Sequence, residues 1–153
     1  MTTIDDIDRR ILSELQRDAA QNLEKLGERV GLSRNAIWRR IKTLDEAGII
    51  KARVALLDAE KLGAGLSVVI MIRTNRHDPE WLERFAQVTR AMPEIQGVYR
   101  MTGDLDYMVR ARVADMAAYD ALYQRLIRKV DLSDVSASFV MEEIKESTAI
   151  PLT

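Results

Sequence analysis

Residues 31–48, Gly-Leu-Ser-Arg-Asn-Ala-Ile-Trp-Arg-Arg-Ile-Lys-Thr-Leu-Asp-Glu-Ala-Gly, constrain this chain more than any other stretch. Ile37, Ile41 and Leu44 recur at spacings of four and three, which puts them on one helical stripe. Arg34, Asn35, Trp38, Arg39 and Lys42 fall off that stripe and leave a basic, hydrogen-bonding face that carries an aromatic. Ser33 is a good N-cap, and Gly48 a good left-handed residue just past the helix end. Upstream, residues 22–30 form a short amphipathic pattern with Asn22 as cap and Leu23, Leu26 and Val30 inward. Only Gly31-Leu32-Ser33 separates the two helices, and so tight a Gly-containing turn is the signature of a helix-turn-helix. A third helix over 5–16, with Ile7, Ile11, Leu12 and Leu15 inward, completes a small core.

A charged helix face is often only a solvated face, so distribution matters more than presence. The net charge of the 153-residue chain is −1, which does not suit indiscriminate nucleic-acid binding. Yet residues 33–53 carry Arg34, Arg39, Arg40, Lys42, Lys51 and Arg53 against only Asp45 and Glu46. Positive charge therefore collects on the second helix and the segment after it, where double-stranded DNA would be met. Arg34, Asn35 and Arg39 are candidates for groove contacts, and Arg40 and Lys42 for phosphate contacts. Ser33 starts that helix at the DNA. Trp38 has three outlets: packing on the first helix, lying on the DNA backbone, or touching a thymine methyl.

The β-branched run Ile49–Leu57 reads as a strand leaving this domain. A connector over 58–65 follows, then a strand over 66–73. Its Leu66, Val68, Ile70 and Ile72 point one way, and Ser67, Val69, Met71 and Arg73 the other. A helix over 79–91, capped by Asp78 and with Trp81, Leu82, Phe85 and Val88 inward, leads to strands over 98–102 and 107–113 around a tight turn at 103–106. Asp115 caps a helix to Arg128, and a last strand covers 135–141. The order β-α-β-β-α-β is the split, ferredoxin-like arrangement, with two helices on one sheet face. The other face bears apolar residues and so marks an interface. The expected fold is α+β: a winged-helix-like helix-turn-helix domain over 1–50, a hinge strand and linker over 51–64, and a ferredoxin-like βαββαβ regulatory domain over 65–153. With no cysteine, no apolar run long enough for a membrane and no apolar stretch at the N-terminus, a cytoplasmic protein is expected.

The chain resembles the leucine-responsive regulatory protein/AsnC (feast–famine) transcription regulators of bacteria and archaea along nearly its whole length. The resemblance rests on Ile7-Asp-Arg-Arg-Ile-Leu12, Val30-Gly-Leu-Ser33, and the run 40–50, Arg-Ile-Lys-Thr-Leu-Asp-Glu-Ala-Gly-Ile-Ile. It continues in Ala55-Leu-Leu57, Thr102-Gly-Asp-Leu-Asp-Tyr107, Asp115-Met-Ala-Ala-Tyr119 and Val140-Met-Glu-Glu-Ile-Lys145. It implies an N-terminal DNA-binding domain, a hinge strand, and a C-terminal domain that dimerises through its sheet and in many members binds a small amino acid. Dimers of such proteins often assemble to octamers. Gly103, Asp104 and Asp106 then sit beside the effector, Met116 lines it, and Phe139 and Val140 match regulatory positions. The residues offer a physical counterpart. A Gly-containing turn supplies N–H donors for a carboxylate, and Asp106 an acceptor for an α-ammonium. Gly103 and Asp104 are also the residues a turn wants for its own sake. Met101, Met116 and Val140 leave room for an aliphatic or thioether side chain.

Catalysis finds no support. His77 is the single histidine and falls in a loop, and Glu142-Glu143 would face opposite sides of a strand. There is no Ser-His-Asp set, phosphate-cradling glycine loop or metal-ligand cluster, so no cofactor is expected. Relatives on this scaffold include haem-pathway decarboxylases, which keeps an enzyme as the alternative. A ligand-sensing oligomer with vestigial DNA binding is another. The single loop histidine and the intact basic helix count against the enzyme.

Overall fold

The computed structural model describes residues 3–152 and divides the chain into two compact units. Residues 56–144 form one, and residues up to 55 together with those from 145 onward form the other.

The first unit is built of α1 (Asp6–Arg17), α2 (Leu23–Val30) and α3 (Arg34–Glu46). Each begins where the sequence offers a cap. Asp5 and Asp8 exchange backbone and side-chain bonds in a capping box, Asn22 accepts from Glu24 N–H, and Ser33 from Ala36 N–H. Ile11, Leu26, Val30 and Ile37 close the core, with Ile7, Leu15, Leu23, Leu32 and Ile41 around them. Two glycines make the α2–α3 turn. Gly31 sits at φ +78°, a conformation that disfavours any side chain. Gly27 lies so close beneath the Leu32 carbonyl that a Cβ there would overlap it.

Residues 51–58 do not form the expected strand. The segment is exposed, with Val54, Leu56 and Leu57 each about three-quarters accessible. A strand exists only against a partner edge, and the described residues offer this segment none. Residues 58–64 make a single turn held by Asp58, which accepts from Lys61 N–H.

The second unit runs β1 (Leu66–Arg73), α4 (Pro79–Arg90), β2 (Ile95–Arg100), β3 (Tyr107–Val113), α5 (Met116–Ile127) and β4 (Asp134–Phe139). The antiparallel sheet has the order β2-β3-β1-β4, the ferredoxin-like arrangement expected. Val68, Ile70, Ile72, Tyr107, Val109 and Val113 meet Trp81, Phe85, Leu122 and Leu126 in the core. Trp81, Phe85 and Tyr107 form a ring cluster with centroids 4.9–5.6 Å apart. Three details depart from the sequence reading. The last strand, expected to reach 141, ends at Phe139. Leu82, expected inside, is 40% exposed beside β2. β2 begins three residues early, because a bulge at Ile95/Gly97 lets Ile95 pair with Ala111. Among the described residues no helix is long and apolar enough to cross a membrane, and no acid, histidine or cysteine cluster could hold a metal.

Candidate DNA-reading helix and effector hairpin

The exposed face of α3 carries Arg34, Asn35, Trp38, Arg39 and Lys42, while Ile37 and Leu44 are buried beneath it. Positions 35, 38, 39 and 42 follow the helical repeat, so these side chains project as one patch. Trp38 does not pack into the core: it is 54% exposed, and Lys42 Nζ stands 5.4 Å from its ring centroid. Among the described residues the Arg34 and Arg39 side chains have no partner, which leaves their donors open to an anionic or base-edge acceptor. Ser33 is occupied as the cap. Lys42 also lies 3.6 Å from Glu46, a pair that an exposed surface makes weak.

Arg40 has a different task from the one expected of it. Its guanidinium turns back onto α1 and donates at 2.8 Å to both Asp5 and Asp8. Asp8 is nearly buried, so the pair braces the reading helix against the first helix. Hydrogen bonds donated to Asp8 first and Asp5 second hold the guanidinium firmly in its charged form. The Asp8 N–H and then Arg40 push the Asp5 carboxyl below its ordinary value of 3.8. The signal was present in the sequence as the Asp5/Asp8 capping pair, but the partner on α3 depends on how the helices pack. Arg53, also counted as basic surface, is held by Asp45 through two bonds of 3.0 and 2.8 Å.

In the second unit the segment 101–106 joins β2 to β3 and is wider than a two-residue hairpin turn. Gly103 sits at φ +100°. The segment is anchored to the end of β1: Asp106 N–H donates to the Ile72 carbonyl at 3.1 Å, and Arg73 Nε to the Asp104 carbonyl at 2.9 Å. Asp106 is partly committed, since one carboxylate oxygen accepts from Thr74 N–H at 2.8 Å. Its other oxygen remains available. The backbone N–H groups of Thr102, Gly103, Asp104 and Leu105 have no partner among the described residues. The hairpin thus offers several donors and one carboxylate oxygen side by side.

The other expected effector residues lie elsewhere. Asp106 bonds to Ile72 at one end of β1, while Val140 donates its N–H to Ser67 at the other. Five residues of strand put these ends about 17 Å apart. Met116 starts the helix that follows β3, at the Val140 end, and is 57% exposed. Within one chain, therefore, Met101, Gly103, Asp104 and Asp106 come together, but Met116 and Val140 do not join them. His77 is exposed in its loop, and Glu143 is engaged by Arg112 rather than paired with Glu142.

Comparison with known proteins decides the ancestry. Residues 4–45 match the AsnC-type helix-turn-helix domain, and residues 67–150 the Lrp/AsnC ligand binding domain. The chain belongs to the Lrp/AsnC family. It is a DNA-binding regulator of transcription, with the helix-turn-helix in its first unit and the ligand-binding domain drawn mostly from its second. It is 47% identical to the glutamate uptake regulatory protein of Zymomonas mobilis subsp. mobilis, over 97% of this chain and 91% of that one. It is 46% identical to the DNA-binding transcriptional activator DecR of Escherichia coli, covering 97% and 99% of the two chains. Among solved structures, an AsnC family transcriptional regulator from Agrobacterium tumefaciens superposes with a TM-score of 0.93 at 47% identity, covering 96% of each chain. The transcriptional regulator NMB0573 of Neisseria meningitidis, in complex with L-Met, gives a TM-score of 0.92 at 35% identity over 97% of each. These relatives are regulators rather than enzymes.

Proposed function

We propose that the chain is a cytoplasmic, sequence-specific regulator that reads double-stranded DNA through the exposed face of α3 and answers to a small amino acid. The division of labour follows the sequence: residues 1–50 read DNA, 51–64 act as the hinge, and residues from 65 onward hold the effector and the assembly. The observation that carries the DNA reading is the set Arg34, Asn35 and Arg39, whose side chains have no partner among the described residues, presented with Trp38 and Lys42 on one helical face. Arg and Asn are the side chains that make bidentate contacts to guanine and adenine edges. The partly exposed Trp38 fits an apolar contact with a thymine methyl or the sugar backbone. Lys42 is the phosphate contact; Arg40 is left to brace the unit.

The effector reading rests on the hairpin. Free backbone donors suit a carboxylate, and the open Asp106 oxygen suits an ammonium, which together describe an α-amino acid. The relative from Neisseria meningitidis carries L-Met. Within one chain Met116 and Val140 lie away from the hairpin, so the proposed site is completed by another copy. Met116 and Val140, 17 Å or so along the sheet, reach it only if they come from that copy. The outer sheet face, with Val69, Met71 and Met108 half-buried and Tyr99 exposed, is the proposed dimer surface. The unpaired segment 51–58 would find a partner edge in the other copy, and dimers would assemble further, to an octamer or similar. Occupancy at such a site shifts the assembly by no more than the effector's differential affinity.

Footprinting on the DNA flanking the protein's own gene tests the first claim, with the Arg34→Ala/Asn35→Ala/Arg39→Ala protein as control. Calorimetry with each of the twenty amino acids tests the second. Binding unchanged by Asp106→Ala would move the effector site away from the hairpin.

A further inference from the structure

Beyond these roles, one face of α1 is engaged by a segment distant in sequence. Residues from 145 onward cluster with the first unit, although the chain reaches them directly from the second. The contact is specific. The Gln16 side-chain amide reads both backbone groups of one residue: Nε2 donates to the Ile150 carbonyl at 3.1 Å, and Oε1 accepts from Ile150 N–H at 2.7 Å. Gln16 treats the segment as a neighbouring strand would, by its backbone. Ile150 precedes Pro151, and a residue before proline is biased to extended conformations. The residue being read is therefore the one whose shape is set in advance. Arg9, Ser13 and Gln16, spaced by four and three on α1, line a groove of about 460 Å³ with Ala149, Pro151 and Leu152 opposite.

We propose that this face of α1 is a docking site for the chain's own residues 149–152, which act as a strap and leave the cleft between them and the helix. The DNA-binding unit is then tied to the other unit at both of its ends, at 55–56 and at 144–145. Because α1 holds α3 through Asp5, Asp8 and Arg40, a pull on the strap is felt at the seat of the reading helix. The bonds are exposed and individually weak, so docking depends on the high local concentration of an attached segment. Such a contact is easily released.

The chain has no cysteine, which makes the test direct. Full-length protein carrying Ser13→Cys and Ala149→Cys, treated with a short bismaleimide, should give a fast-migrating monomer on a denaturing gel. Adding Gln16→Met should slow that cross-link severalfold. Cross-linked dimers would mean that the segment sits on another copy's α1, and no cross-link above single-cysteine controls would mean that it is not docked; either overturns the proposal. In a second arm, Gln16→Met or Ile150→Pro should speed hydrogen exchange of α1 amides severalfold and leave α4 and α5 unchanged. Unaltered α1 exchange in both variants would also overturn it. The regulatory consequence rests on the effector reading: with the strap cross-linked, operator affinity should respond less to the amino acid. The cross-link and exchange readouts need no effector, so they fail or stand independently of that reading.

Discussion

Neighbouring arginines on α3 should separate into a brace and a reader. Arg40→Ala removes the guanidinium that donates at 2.8 Å to both Asp5 and Asp8. The Asp8 side chain is only 12% exposed and would lose its charged partner. Stranding a buried acceptor costs about 1–3 kcal/mol, and the low end applies because Asp8 still accepts from Asp5 N–H. For a unit of this size, a loss of about 1 kcal/mol lowers the melting temperature by roughly 4–8 °C. Arg39→Ala removes no side-chain partner among the described residues and should leave the melting temperature nearly unchanged. Binding to the operator should invert the order: Arg39→Ala costs about 1–3 kcal/mol if it reads a base edge. Arg40→Ala should preserve the slope of log affinity against log salt. Calorimetric melting and salt-titrated fluorescence anisotropy measure both quantities on the same proteins. If Arg40→Ala left stability intact and lowered the salt slope by about 0.9, Arg40 would be a phosphate contact and the brace would be refuted.

Gly27→Ala should destabilise the first unit despite Ala's better helix propensity, because its Cβ meets the Leu32 carbonyl; a melting temperature at or above that of the parent would contradict the close approach. Acid should loosen the α1 terminus. With the Asp5 carboxyl held below its ordinary 3.8, its contribution is present above that pH and is lost as pH falls through and below it. Asp5→Asn should flatten that part of the stability profile in melts from pH 6 to pH 2.5. Trp38→Ala should cost little stability, since the ring is half exposed, but should weaken operator binding; equal melting loss and full binding would place the ring in the core instead.

The elements that were legible in the sequence are those whose causes are local. Asn22, Ser33, Asp78 and Asp115 all cap helices where the pattern put them, because a cap needs only its own next two or three residues. β1 was read from alternation, and the order of elements sufficed for the sheet topology. What stayed hidden depends on partners. Ile49–Leu57 has the composition of a strand, but pairing is not a property of the segment. Arg40 looks like any exposed arginine until α1 is packed against it. Leu82 fits the apolar stripe of α4 but lies at its rim, where the sheet ends at β2. The effector residues illustrate the same limit. The hairpin set is contiguous in sequence and in space, whereas Met116 and Val140 share only a resemblance with it and lie at the far end of β1.

The central claim is that α3 reads DNA through Arg34, Asn35 and Arg39 while the fold stands without them. Operator affinity of the Arg34→Ala/Asn35→Ala/Arg39→Ala protein, measured beside its circular dichroism and melting temperature, tests it most directly. The account predicts a native spectrum, an unshifted melt, and loss of specific binding down to the nonspecific level. Full operator affinity in the folded triple variant would contradict it.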